Sequence, residues 1–432
     1  SLGNYGFTSL ANFDAGRYSS YLLRVPSTGF TLDDTAAVWE LNSFGLFLQD
    51  TWAINANLNV TYGFRVDEAD VPGAPVFNPA ASARFGRRND VTIDGERLWQ
   101  PRLGFNYTFD SERPTQLRGG FGLFQGAAAN VWLSNPFTNN GVTVSVFGCG
   151  TAGLPTCTGT LPPISFNPDN QPRLNLGGVI PQDVDFVSDD LGQPSVWKGN
   201  LAFEHELPWQ GLVVSAEVIL LSTQTGLHYE HLNLGAPTRS APDGRPMYWN
   251  AAGFAPGSWN QQGVGTGVQA RFNRDRAFRE VLLARKTEKG GAENFSVSLQ
   301  KPMLEGDAWF WQVGYAYGDA RDVNQLAGSI SIENFSSRAV FDPNEELSSR
   351  SNFAVRDRFT AAASWRHFFF DGYKTEIGLF YEGRKGRPYS YVFDNDANGD
   401  GIAGNDLLYI PTGPGDVLFG SAAEEAAFFA YI

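Results

Sequence analysis

Oxygen ligands are spaced for a hard cation in one segment, FDNDANGDGIAGNDLLYIP (393–411). Asp394, Asp396, Asn398 and Asp400 stand at alternate positions, Asp406 follows, and Gly399 and Gly401 permit tight backbone turns. Carboxylate and amide oxygens in that pattern suit Ca²⁺. The match to an EF-hand loop is imperfect. A twelve-residue loop counted from Asp394 ends at Asn405, and one counted from Asp396 ends at Leu407, where a bidentate Glu belongs. The competing expectation is an acidic, Gly-rich surface loop without metal. Bound Ca²⁺ would rigidify a long exterior loop by cancelling repulsion between its carboxylates.

Catalytic chemistry has little support. His205, His228, His231 and His367 are scattered, and His228 and His231 fall on opposite faces if their segment is a strand. Glu204 and Glu217 on adjacent strands are more economically lumen-facing carboxylates than a glycosidase pair. No GxSxG elbow occurs, and FGLFQG (121–126) lacks a following helix to cradle phosphate. The expectation is a non-enzyme. Cys149 and Cys157 share one short loop, which predicts a local disulfide and an oxidising compartment, with a free-thiol pair as the alternative. Trp132 and Phe137 lie near them, and Tyr248, Trp249 and Trp259 lie in GRPMYWNAAGFAPGSWNQQ. Aromatics among Asn, Gln and Gly stack on sugars or grip peptide side chains, which makes these five the substrate-binding candidates. Loop-on-loop packing is their other use.

The elements that must position these residues are strands. In NLNVTYGFRVD (57–67), Leu58, Val60, Tyr62, Phe64 and Val66 share one face; Asn59, Thr61, Gly63, Arg65 and Asp67 share the other. The same alternation runs through RLGFNYTFD (102–110), AWFWQVGYAYG (308–318) and YKTEIGLFYE (373–382). The richest apolar run, LVVSAEVILL (212–221), is too short for a spanning helix. Tight turns at 55–56, 111–114, 208–210, 304–306 and 371–372 alternate with long connections at about 70–96, 128–193, 233–262 and 320–355, and with everything after Asp394. One additional hairpin restores the parity: 267–273 down, 279–286 up, then 295–301 down after a turn at Lys289–Gly291. The fold class expected is all-β: a transmembrane antiparallel β-barrel, partial, about 12 strands of a larger barrel, with long extracellular loops. Strands this long without a repeat exclude a propeller. A polar face rich in Gly, Ser, Thr and Asn fits a wet or plugged lumen rather than a solvent-washed exterior. Acids exceed bases 46 to 32, for a net charge of −14, which disfavours nucleic acid as a partner.

Four motifs carry a resemblance. GLFLQDTWAINANLNVTYGFRVD (45–67) resembles the barrel hairpin of TonB-dependent outer-membrane transporters. SLQKPMLEGDAWFWQVGYAYGDARDVN (298–324), SNFAVRDRFTAAASW (351–365) and NGDGIAGNDLLYIP (398–411) are similar to later segments of the Oar-like branch of that family, in the family's order. The resemblance implies a barrel of about 22 strands around a plug domain, with energy supplied by the TonB complex. It implies a large substrate bound by extracellular loops, outer-membrane lipid around the wall, and a Gram-negative-type cell. No plug, TonB-contacting box or aromatic C-terminal strand is seen in this sequence, so a barrel section of a larger transporter is expected. Its expected parts are a leading loop and strand at 1–35, the barrel section at 36–393 and an extracellular loop at 394–432. The alternatives are a non-transporting outer-membrane adhesin and a secreted carbohydrate-active β-protein.

Overall fold

Ten strands pair in chain order into one antiparallel wall. They are β1 (Asn42–Ala53), β2 (Leu58–Asp70), β3 (Arg97–Thr108), β4 (Thr115–Gln125), β5 (Ser195–Glu206), β6 (Val213–His231), β7 (Gly291–Lys301), β8 (Trp309–Asp322), β9 (Asp357–Phe368) and β10 (Lys374–Arg384). This computed structural model describes residues 3–126, 130–151, 154–176, 181–255, 258–260, 263–264, 267–370 and 372–432. Thirteen strands belong to the main sheet, against about twelve expected; three of them lie off the wall path. Short turns close β1 to β2, β3 to β4, β5 to β6, β7 to β8 and β9 to β10, and long connections join the other ends. At the β5–β6 turn, Gln210 and Gly211 take φ of 54° and 64°, the left-handed pair whose twist matches an antiparallel hairpin.

Register turns the alternation into two continuous faces. Trp52 pairs with Val60, Val60 with Phe105, Leu103 with Phe121, Leu201 with Val218, Val218 with Phe295 and Phe295 with Tyr317. Val313 pairs with Ala361 and Ala361 with Tyr381, which carries the apolar face to β10. That face is open: Leu48 is 65 % exposed, Leu220 53 % and Leu379 73 %. Apolar surface costs about 25 cal/mol per Å² in water, so a face of this extent is built for a nonaqueous neighbour. The opposite face is hydrogen-bonded across strands. Thr51 and Thr61 hydroxyls lie 3.1 Å apart, Asn200 donates to Glu217 at 3.2 Å, and Arg118 pairs with Glu204 at 3.1 Å.

Above the wall the chain differs from the sequence expectation. Residues 267–273 form no strand, and Phe278–Thr287 does not run upward. It pairs antiparallel with the far end of β6, from Gly226–Thr287 to His231–Leu282, and parallel with Gln182–Val187. β6 therefore carries both the wall ladders and an outer branch of the sheet, with a register irregularity between Thr223 and Thr225 where it leaves β5. Alternation cannot distinguish a strand in the wall from one stacked beyond it, because both have period two. Gly291 is where the returning chain enters the wall. A Cβ there would stand 2.3 Å from the Leu221 carbonyl oxygen, so only glycine fits.

The outer strands enclose a core of Ala81, Val184, Phe186, Phe278, Val281 and Leu283. The helix Pro79–Phe85 supplies Ala81; Asn78 caps it by accepting from the Ala81 N–H at 3.0 Å, and proline stands in the first turn. Phe85 meets the Phe278 ring edge-on at 5.1 Å. A separate three-stranded sheet joins Asn4–Gly6, Ser20–Pro26 and Val144–Cys149 over Tyr18, Tyr21 and Leu23.

Asp185 is the buried carboxylate of the outer layer. Its Oδ2 accepts from the Asn139 amide at 2.9 Å, and burial pushes it up to about 7. The folded state therefore holds this proton more tightly than the unfolded chain, whose ordinary value is 3.8. The stabilisation is complete below the unfolded value and is lost as pH rises through about 7. Amide-exchange protection of Gln182–Val187 should fall between about pH 4 and pH 7. Asp185→Asn should flatten that profile, and a slope that survives the substitution would assign it to another group.

Candidate binding sites in the long connections

The chain separates into two compact units. The larger holds the wall and the outer core; the smaller comprises Leu234–Arg274, Arg338–Glu345 and Ser390–Ile432. The smaller unit is thus wider than the expected 394–432 loop, because two earlier connections fold with it.

The smaller unit is organised around its aspartates. Asp396 accepts the Gly399 and Gly401 N–H groups at 2.6 and 2.9 Å. Asp400 accepts from Ile402 N–H at 2.8 Å and from the Asn405 amide at 3.0 Å. Asn398 Oδ1 accepts the Asp400 N–H at 2.7 Å. Asp406 Oδ2 accepts from Ala397 N–H at 2.7 Å and Asn398 N–H at 3.2 Å, while its Oδ1 is buried without a hydrogen-bond partner. Asn398, Asp400, Asn405 and Asp406 are all buried. Asp394 is exposed and stands apart from this knot. Burial, reinforced by Asp400, pushes Asp396 up to about 8. Burial raises Asp400 to about 6, and it also raises Asp406. The side chains bind their own backbone, which is why alternate Asp and Asn residues with glycines between them fold this way locally. As the loop stands, no group of three or more His, Cys, Asp or Glu side chains among the described residues is disposed to hold a metal.

One cation in place is Arg245, which sequence reasoning missed. It is 4 % exposed. Nε donates to Asp243 at 2.8 Å, Nη2 donates to the Leu407 carbonyl at 2.6 Å, and Nη1 stands 3.9 Å from Asp406 Oδ1. Its guanidinium lies over the Phe341 and Phe393 rings at 5.3 and 5.5 Å. The only sequence signal was an arginine beside a turn, PDGRP, far from the aspartates it meets.

The aromatic candidates need correction. Tyr248 and Trp249 are 5 % and 4 % exposed, so neither is a platform for ligand. Trp249 packs on the aspartate loop: a Cβ on Gly399 would come within 2.9 Å of its ring, and its Nε1 donates to the Ala397 carbonyl at 3.3 Å. Trp132 donates to the Gly328 carbonyl at 2.9 Å, and Phe137 stacks on Trp39 at 5.7 Å; both are half-buried and join loop to loop. The side chain of Trp259 lies outside the described residues. Cys149 and Cys157 are disulfide-bonded, Cα to Cα 4.9 Å, at the edge of the N-terminal sheet. His228 and His231 are each 1 % exposed and do not share a ligand site; His231 Nε2 bonds Glu280 at 2.7 Å. Glu204 and Glu217 engage Arg118 and Asn200.

A family model described as an outer membrane beta barrel domain matches residues 1–378. No curated protein matches the chain. Among solved structures it is similar to a mutant ferric enterobactin receptor (PfeA) from Pseudomonas aeruginosa, at 15 % identity and TM-score 0.41, covering 90 % of this chain and 40 % of that one. The siderophore receptor PirA from the same organism follows at 11 % identity and TM-score 0.34, covering 84 % and 48 %. The FrpB iron transporter from Neisseria meningitidis stands at 10 % and 0.37, covering 88 % and 41 %. The chain spans less than half the length of each. At this level of similarity their ligands and partners do not transfer to it.

Proposed function

Because this chain belongs to the outer membrane beta barrel domain family, we propose that it forms the wall and outer connections of a TonB-dependent transporter of the Oar-like branch. Its location is the outer membrane of a Gram-negative-type bacterium. The observation that carries the proposal is the two-faced wall. The continuous apolar face from Trp52 to Tyr381 suits lipid hydrocarbon, and the face bearing Thr61, Arg118, Asn200 and Glu217 suits a water-filled or plugged interior. The four motifs at 45–67, 298–324, 351–365 and 398–411 support the branch. In this reading the long connections bind a large substrate, a plug domain fills the interior, and the TonB complex supplies the energy. No enzymatic step is assigned.

Cells carrying the intact locus should move a component of a complex medium into the periplasm. A locus deletion and a TonB-lacking strain should both leave it outside. Equal periplasmic content in all three strains would overturn transport and favour an adhesin.

We also propose Ca²⁺ for the aspartate knot, held by Asp396, Asn398, Asp400 and Asp406, with Asp394 drawn in. Its support is the burial of Asp400 and Asp406, together with an Asp406 Oδ1 that accepts no hydrogen bond among the described residues. Buried charge needs compensation, and a divalent cation supplies it. Chelator should raise protease cleavage within 394–406, and added Ca²⁺ should reverse it. Cleavage indifferent to both would mean that the knot holds without Ca²⁺.

A further inference from the structure

The loop-side ends of β1 to β4 and β6, with the chain at 190–193 and Lys286, line a polar cavity of about 160 Å³. Four carboxylates and two cations face it. Most of these charges are already spent. Asp67 accepts from Arg65 at 2.6 Å and also from Gln100. Glu68 pairs with Arg97 at 2.7 Å, and Lys286 pairs with Glu288 at 2.6 Å. Glu96 and Asp190 remain, with no side-chain hydrogen bond or ion pair among the described residues. Gln125 and Gln193 line the same space, and the Oε1 atom of each is buried without a partner. Ser195, opposite Gln125 in the ladder, stands behind this lining; it is 1 % exposed, and its hydroxyl has no hydrogen-bond partner among the described residues. A buried acceptor without a donor costs about 1–3 kcal/mol, so this set is incomplete without a ligand or ordered water.

We propose that this cavity binds a primary ammonium group of a small ligand. The unused groups are oxygens, two of them charged, and an ammonium carries three donors and one positive charge to meet them. An anion would face the uncompensated Glu96 and Asp190. A bare metal ion would leave most of the space unfilled, since one water needs only about 10–15 Å³ by this kind of measure. The remaining volume, with Leu98 and Ala69 on its wall, accommodates a short alkyl stem. Free polyamines, lysine side chains and amino sugars share this chemistry. The proposal goes beyond transport, and binding to the purified protein is measured without transport, so the two fail separately.

Saturation-transfer NMR on the purified full protein in detergent, with n-butylammonium as probe, tests it. The probe should give a transfer signal that n-butanol and butyrate do not compete away. Glu96→Gln should weaken binding about tenfold or more, the loss of a charge-assisted contact. Gln193→Leu keeps the volume, deletes an acceptor and should also weaken it, whereas Glu305→Gln on the β7–β8 turn should change nothing. Comparison of putrescine, Gly-Lys-Gly and glucosamine as competitors then identifies the source of the ammonium. No transfer signal, equal competition by butyrate, or undiminished binding in both Glu96→Gln and Gln193→Leu would mean that the cavity holds water alone.

Discussion

Leu201→Arg should destabilise the assembled wall by about 2–4 kcal/mol, the cost of arginine at the bilayer midplane on the outer face of a barrel. Leu201 is midway along β5, 45 % exposed, and flanked across the ladders by Gly119 and Val218. Its chain neighbour Asn200 faces the other way, bonded to Glu217 and beside Gly120. Asn200→Arg should therefore cost little, since Glu217 is within reach and the face around it is polar. The measurement is urea unfolding of the protein refolded into phospholipid vesicles. Equal losses for the two variants, or a larger loss for Asn200→Arg, would reverse the assignment of the faces. With it would go every statement about which side chains meet lipid.

The second large effect belongs to Arg245. Arg245→Met preserves most of the side-chain volume over Phe341 and Phe393 but removes three polar contacts. Removing one partner of a buried pair costs about 3–5 kcal/mol, because the surviving charge stays desolvated. Asp406 is 0 % exposed, so the expected consequence is local opening of 396–407, seen as faster amide exchange there in the presence of chelator. Asp406→Asn made together with Arg245→Met should lose less than the two singles combined, since the orphaned charge is then absent. Additive losses would show that Arg245 acts through its Leu407 contact and its ring contacts rather than through Asp406.

The wall was legible in the sequence because alternation and turn chemistry are local properties. Val60, Tyr62 and Phe64 declare one face without knowledge of any partner, and Gln210-Gly211 declares a reversal. The outer layer was not legible. REVLLARK reads as a strand, but its direction depends on β6 continuing past Thr225, which no short window reveals. Residues 267–273 alternate like a strand yet find no ladder, and Arg271 takes φ of 46°. Tyr248 and Trp249 look like recognition aromatics in a Gly- and Asn-rich loop. Their burial follows from contact with residues some 150 positions away in the chain, at Ala397 and Asn398. The aspartate spacing was visible from the start, whereas the arginine that faces it was not, because ion-pair partners leave no periodic trace.

The nineteen-residue strand β6 has a mechanical consequence. Its lower half is stitched to β5 and β7, and its upper half to Phe278–Thr287, all on a single stretch of extended backbone. The lower half is held by a ladder on each side and the upper half by a ladder on one side, so a tilt imposed on the less restrained outer half travels downward as a lever stroke. It is delivered at Thr223–Thr225, where the ladder to β5 slips register and offers a fulcrum. Force applied at Gly226–His231 would thereby reach the wall at Thr223–Thr225.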